Sequence, residues 1–185
     1  MKDVSKRLIH AAKVGVDIDV KAILSDPMCN ASSKDGAGMT ALMWAAYGGH
    51  EACLEILLTR SDVSARNTYG LTALMWAARR GHETCVGLLL AKRNCDALST
   101  SDDGMTALMH AAFDGREACV RLLLPISDAL AKDNNGATAS NLARNRSYER
   151  VAQFMEAYSL AESERADIGV SVCSVAPTGS AALRM

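Results

Sequence analysis

A nine-residue motif recurs along the chain at an almost constant spacing, and this regularity constrains the fold more than any other feature. Three copies read Gly-x-Thr-Ala-Leu-Met-x-Ala-Ala, a fourth is degenerate, and an earlier one keeps only the end of the motif. The first alanine of the pair stands at positions 11, 45, 77, 111 and 143, so the spacings are 34, 32, 34 and 32 residues. Repetition at a period of about 20–50 residues is typical of proteins built from stacked units.

Within each unit, the residue types predict two short helices. A threonine precedes the first helix, where its hydroxyl oxygen can accept a hydrogen bond from the first turn. A glycine follows that helix, because a left-handed residue there costs glycine little. The second helix begins at His50, His82 or Arg116, and a polar stretch leads to the next glycine turn. Two short helices cannot bury their apolar sides alone, so the units are expected to stack. The capping residues are Thr40, Thr72, Thr106 and Thr138, with Gly49, Gly81 and Gly115.

These landmarks resemble those of the ankyrin-repeat family over roughly residues 4–160. Thr-Ala-Leu-Met stands where the family usually has Thr-Pro-Leu-His, and the Ala-Ala, Gly-His, Leu-Leu and Asp-x-x-Gly positions have the expected offsets. The repeats are also similar to those of the large ankyrin families of some protists. The resemblance implies an all-α solenoid of five repeats, each a helix-turn-helix followed by a β-turn loop. The main departures are methionine for the family's histidine at 43, 75 and 109, and alanine for its proline at 41, 73, 107 and 139.

The repeats are expected at about 3–35, 36–67, 68–101, 102–133 and 134–160, within one domain spanning residues 1–160. The two end units differ from the others, as terminal caps of a solenoid do. Lys6 and Arg7 make the first unit more polar, and Asn141 and Arg144 do so for the last. We therefore expect a complete array that is monomeric. Residues 161–185 are predicted to hold the end of a helix and then a flexible tail.

Composition excludes several classes of protein. Twenty basic and 21 acidic residues give a net charge of −1, which argues against a nucleic-acid-binding protein. The apolar runs are too short to cross a membrane, and charges interrupt the N-terminus where a signal peptide would be apolar. We expect a cytoplasmic protein, with the nucleus left open, in which the six cysteines are reduced thiols.

No motif predicts catalysis, a cofactor or a metal. The segments 50–53 and 82–85 both read His-Glu-x-Cys, but they lack the second histidine of a zinc-binding helix. Their histidines are expected to satisfy local backbone groups. Cys53, Cys85 and Cys119 occupy one position of successive helices, where units about 10 Å apart would hold them too far from one another for a disulfide or a shared zinc. We interpret them as small core residues.

The first helix of each repeat directs one side away from the core. At about 100° per residue, Ala45 and Ala46 face the second helix, Met43 faces a neighbouring repeat, and Trp44 and Tyr47 point outward. The resemblance implies that this outward side lines a concave groove beside the tips of the glycine turns. The equivalent outward positions are His10 and Lys13, Trp76 and Arg79, His110 and Phe113, and Leu142 and Asn145.

Aromatic residues concentrate on this side and in an adjoining turn, which hold five of the eight in the chain. Aromatic residues and arginine are the types that most often anchor protein interfaces. For Trp44 and Trp76, packing against each other along the repeats is an equally open interpretation. The candidate protein-binding residues are Trp44, Tyr47, Tyr69, Trp76, Arg79, Arg80, His110, Phe113 and Asp114.

The sequence thus predicts a non-catalytic module that binds a partner protein of unknown identity through its concave face, as an adaptor or scaffold. The alternative is a regulatory or inhibitory subunit of an enzyme such as a protein kinase, because small ankyrin proteins of similar size include kinase inhibitors. That alternative rests on analogy of fold.

Overall fold

The structure, a computed structural model, describes residues 2–167. Within this range the chain forms five helical hairpins and no strand, which confirms the all-α solenoid. A single turn of 3-10 helix, Leu124–Ile126, follows the fourth hairpin. The hairpins are α1 (Lys2–Val14) with α2 (Asp17–Leu24), α3 (Ala41–Gly48) with α4 (Glu51–Leu57), α5 (Ala73–Arg80) with α6 (Glu83–Leu90), α7 (Ala107–Phe113) with α8 (Glu117–Leu123), and α9 (Ala139–Asn145) with α10 (Glu149–Asp167).

The predicted threonine caps are present at α3, α5, α7 and α9. Each threonine Oγ1 accepts a hydrogen bond of 3.3 Å from the backbone N–H three residues later. The methionines at the position of the family's histidine complete two of these caps, since the sulfurs of Met75 and Met109 lie 3.5 Å from the N–H of Thr72 and Thr106. Sulfur is a weak acceptor, so the threonine oxygen carries most of the cap.

The helices stack in two parallel rows. The inner row contains α1, α3, α5, α7 and α9, and the outer row contains α2, α4, α6, α8 and α10. Neighbouring helices of the inner row share more extensive contacts than those of the outer row. The alanine pairs 45–46, 77–78 and 111–112 of the inner row are fully buried, and their small side chains let these helices lie close to their neighbours. Closer packing along the inner row agrees with the resemblance, which implies that the outward side of this row is the concave face.

The loops that join successive hairpins are hydrogen-bonded to one another. The turn before each of α3, α5, α7 and α9 forms a finger, and each finger after the first donates one backbone hydrogen bond to the finger before it. These bonds run from Thr68 N to Ala37 O (3.3 Å), from Asp102 N to Tyr69 O (3.1 Å) and from Asn134 N to Asp103 O (3.0 Å). The finger tips therefore form a continuous border along the concave face.

The histidines that begin the outer-row helices bind the preceding repeat, not the local backbone groups expected from the sequence. His50 Nε2 lies 3.2 Å from the carbonyl oxygen of Lys13, and His82 Nε2 lies 3.0 Å from that of Tyr47. Arg116 does the same in the fourth repeat, where its Nε donates to the carbonyl of Arg79 at 3.2 Å. Sequence spacing gave no sign of this role, because the acceptors lie 35 to 37 residues away.

The glycines between paired helices make these contacts possible. Gly49 has a φ of +71°, a left-handed conformation that is strained for residues with a side chain. A Cβ at this position would also lie 2.4 Å from the imidazole of His82. Gly15 has the same relation to His50. Glycine is thus required both for the turn and for the ring of the next repeat.

The end hairpins expose apolar as well as polar side chains. Lys6 and Arg7 are exposed, as expected, but Ile18 is also exposed at the first hairpin and Leu160 at the last. Residues 161–167 continue α10, while the rest of the predicted tail lies outside the described residues. Among the helices of residues 2–167, none combines the length and apolarity of a membrane span.

The burial of Met43 gives a test of the helix register. Met43 is 1% exposed inside the helix stack, so Met43→Asp places an unpaired carboxylate there and is expected to lower the free energy of unfolding by more than about 3 kcal/mol. Met28→Asp is the matched control, because Met28 is 59% exposed and its substitution is expected to cost less than about 0.5 kcal/mol. Urea melting measures both. A small effect at Met43 would contradict the register.

Candidate partner-binding surface

Three aromatic rings form a continuous ladder across the second and third repeats. The rings of Trp44 and Tyr47 pack edge to face with centroids 5.6 Å apart, and Tyr47 and Trp76 do so at 5.2 Å. Edge-to-face contact is a favoured arrangement of aromatic pairs, because the positive edge of one ring meets the negative face of the other. The ladder thus spans the boundary between two repeats and fixes the three rings relative to one another.

A cation lies over each of these rings and over the ring of Phe113. Lys13 Nζ is 4.4 Å from the Trp44 centroid, and Arg80 is 4.4 Å from that of Tyr47. Arg79 is 5.7 Å from Trp76, and Arg146 is 4.5 Å from Phe113. All of these distances are within the range of cation–π attraction. We call the surface formed by Lys13, Trp44, Tyr47, Trp76, Arg79, Arg80, Phe113 and Arg146 the aromatic–cation stripe.

The two indoles differ in their hydrogen bonds. Trp44 Nε1 donates to Asp35 Oδ2 at 2.8 Å, while Asp35 Oδ1 accepts from two backbone N–H groups of its own turn. Trp76 Nε1 is buried and has no acceptor within residues 2–167. The position that carries Asp35 in the second repeat carries Asn67 in the third, so this turn offers the Trp76 indole no carboxylate.

The exposure of the candidate residues bears on whether the tryptophans bind or pack. Trp44 and Trp76 are half-buried, so each ring packs along the ladder and still shows part of its surface to solvent. Tyr47 and Phe113 are also half-buried, and Arg80 is exposed. Tyr69, at a finger tip, is 63% exposed. Asp114 forms an ion pair of 3.3 Å with Nε of Arg79 and so joins the fourth repeat to the third.

His110 does not lie on the accessible surface, contrary to the sequence-based expectation. It occupies the position of Trp44 and Trp76, yet it is only 4% exposed and its Nε2 has no hydrogen-bond partner within the described range. The imidazole is shorter than an indole, so it remains below the surface beside the charges of Arg79, Asp103 and Asp114. Burial and the Arg79 guanidinium lower the pKa of His110 to about 4. Leu142, the equivalent residue of the last repeat, is buried as well.

The three cysteines at one position of successive outer-row helices are part of the core. Cys53, Cys85 and Cys119 are buried and free, and burial raises the pKa of Cys85 and Cys119 to about 11. Their thiols therefore stay protonated and unreactive at neutral pH. Within residues 2–167, no cluster of three or more histidine, cysteine or acidic side chains has the geometry to hold a metal ion.

A family model described as ankyrin repeats (3 copies) matches residues 8–101 and 85–160. The chain belongs to the ankyrin-repeat family. Ankyrin repeats are generally modules of protein–protein interaction and are typically non-catalytic. No curated relative matches the chain in a sequence comparison.

The contacts of three residues of this ankyrin surface were missed by reasoning from the sequence. Lys13 and Arg146 lie over rings of the following and preceding repeats, and Asp35 binds an indole nine residues away. The helical wheel places Lys13 on the correct side but does not show which ring it would meet. The Asp-x-x-Gly landmark could have indicated Asp35, since a carboxylate at that position has one oxygen for its turn and one for a neighbour.

The bond between Asp35 and Trp44 can be measured in this ankyrin array. Asp35→Asn preserves an oxygen for the turn but places an amide N–H opposite the indole N–H, and is expected to lower the free energy of unfolding by about 1–2 kcal/mol. In a Trp44→Phe background the same change is expected to cost less than half as much. Asp133→Asn is the control, because Asp133 accepts the two equivalent turn bonds and the residue corresponding to Trp44 is Leu142. Equal losses at positions 35 and 133 would contradict the assignment.

His110 is expected to make stability depend on pH. Its pKa is lowered from 6.5 to about 4 on folding, so between these values the unfolded chain binds the extra proton. Stability should fall as the pH is lowered through this window, by on the order of 3 kcal/mol. Urea titrations at pH 7 and pH 4 test this, with His110→Gln expected to lose that part of the pH dependence. Identical pH dependence of the variant and the parent would contradict it.

Proposed function

We propose that the protein binds a partner protein through the aromatic–cation stripe and the neighbouring finger tips, without catalysing a reaction, as an adaptor or scaffold. The family supports protein binding in general, and the stripe supports this particular face. Aromatic and arginine side chains provide most of the binding energy in protein interfaces. Here they share one face with exposed Tyr69 beside them.

The observation that carries the proposal is that the stripe is partly exposed and already ordered. The rings of Trp44, Tyr47 and Trp76 are held by edge-to-face contacts and by cations. Binding therefore has few rotamers left to immobilise, which reduces the entropic cost of association. All three rings also keep accessible surface that a partner can contact.

Inhibition of an enzyme such as a protein kinase would be one form of the same concave binding. It differs only in what the partner does, and no residue in the described part of the chain favours a kinase as that partner. The adaptor role is therefore the function we put forward.

The proposal is tested by affinity capture from a native lysate followed by titration of the captured partner. Tyr69→Ala is expected to weaken binding about tenfold, and Trp76→Ala by about 30-fold, which corresponds to about 2 kcal/mol. Leu130→Ala is the matched control, because Leu130 is 71% exposed and is not part of the stripe or finger tips. It is expected to bind as the parent does.

Circular dichroism separates a loss of binding from a loss of fold. Tyr69 is exposed at a finger tip, so its alanine variant is expected to melt as the parent does. Unchanged binding by both stripe-face variants would contradict the proposal, as would a loss of binding confined to Leu130→Ala. Unfolding of Trp76→Ala alone would assign that ring to packing and leave the Tyr69 result decisive.

A further inference from the structure

Charged residues are segregated between the two rows of helices. The inner-row helices α3, α5, α7 and α9 contain no aspartate or glutamate, whereas they contain Arg79, Arg80 and Arg144. The outer-row helices α2, α4, α6 and α8 contain six carboxylates and two cations. These carboxylates are Asp17, Asp19, Glu51, Glu55, Glu83 and Glu117, and the cations are Lys21 and Arg121. A chain of nearly zero net charge thus has an outer row that is mainly acidic and an inner row that is basic.

The cations of the stripe are mostly left without carboxylate partners. Within residues 2–167, Lys13, Arg80 and Arg146 form no ion pair, and Arg79 pairs with Asp114. Away from the stripe some arginines are paired, as Arg144 is with Glu156 at 2.6 Å, while Arg116 donates to a backbone carbonyl instead. Three of the four stripe cations, Lys13, Arg80 and Arg146, therefore lie over aromatic faces without a carboxylate partner in the described part of the chain.

We propose that the stripe binds an extended acidic segment of the partner protein. This inference rests on the proposed function and specifies the chemistry of the partner. Carboxylates of the segment pair with Lys13, Arg80 and Arg146, while its apolar side chains lie on the exposed parts of the rings. The stripe crosses four repeat boundaries at about 10 Å each, which an extended segment of about twelve residues spans.

The indole N–H of Trp76 also favours a partner that is rich in hydrogen-bond acceptors. The indole N–H of Trp76 has no acceptor within the described residues, whereas that of Trp44 is satisfied by the carboxylate of Asp35. A carboxylate or carbonyl of the bound segment would supply the missing acceptor after a small rotation of the half-exposed Trp76 ring. An unpaired buried N–H is costly, so this bond would add to affinity.

The surface favours an acidic polypeptide over a nucleic acid. Asp114 lies within the face, and the adjoining finger tip carries exposed Asp102 and Asp103. A nucleic acid has a charge on every phosphate and cannot avoid these carboxylates. A polypeptide can place its acidic residues opposite the separate cations and neutral residues elsewhere.

The test is a selection from a library of random peptides of about twelve residues, displayed on phage, against the immobilised full-length chain. The enriched peptides are expected to carry a clear excess of aspartate and glutamate. Synthetic copies of them are then titrated by fluorescence anisotropy at low and high salt. Their affinity is expected to fall as salt rises, because exposed charge pairs are screened.

Two double variants with equal charge changes locate the binding. Arg80→Gln with Arg146→Gln removes two stripe cations and is expected to weaken peptide binding about tenfold. Lys21→Gln with Arg121→Gln removes two outer-row cations and is expected to leave binding unchanged. Equal effects of the two double variants would overturn the inference, because binding would then follow net charge alone.

The remaining outcomes distinguish this inference from the proposed function. Enrichment of neutral or basic peptides that Tyr69→Ala still weakens would overturn the acidic partner and leave concave-face binding supported. Peptides insensitive to Tyr69→Ala and to the stripe variant would overturn both. The inference is also overturned by a failure to enrich any peptide, or by tighter binding of a single-stranded oligonucleotide of similar length.

Discussion

The close approach of successive inner-row helices is the contact on which the other features of this array depend. Alanine pairs such as Ala45 and Ala46 are fully buried and leave room for neighbouring helix backbones. The outer-row helices share less extensive contacts, so the array is tighter along the inner row. This close packing brings the aromatic rings of adjacent repeats into contact on the outward side of the inner row. It also brings residues of adjacent repeats within hydrogen-bonding and cation–π distance. A larger side chain at such a position would separate the ladder as well as the core.

Most of the fold could be predicted from the sequence because the same capping, turn and core residues recur in successive repeats. The threonine caps, the glycine turns and the buried position of Met43 were all predicted from periodicity and residue type. The candidate surface was predictable only in part. A helical wheel gives the direction of a side chain but not its reach, which is why His110 was placed on the surface. Contacts between repeats, such as Lys13 over Trp44, depend on the stacking distance, and a single sequence does not contain that distance.

The stripe joins two properties that soluble surfaces usually keep apart. Exposed rings promote adhesion, and unpaired cations promote solubility; here each ring, such as Tyr47, has a cation on its face. The cations reduce the apolar area in contact with water while leaving the rings available for a partner that brings its own carboxylates. The acidic outer row adds a second restraint, because like charge discourages copies of the array from associating through that side.

The bonds from His50, His82 and Arg116 to the preceding repeat have a consequence for how the array loses its structure. The second, third and fourth hairpins each attach the start of the outer helix to the end of the preceding inner helix, over a glycine that admits no side chain. In a one-dimensional cooperative lattice, these bonds add to the interfacial term that the packing of the inner row supplies. Weakening one of these bonds would lower the coupling between the two repeats that it joins, so the residue just before each of these outer helices helps to set how cooperatively the array melts.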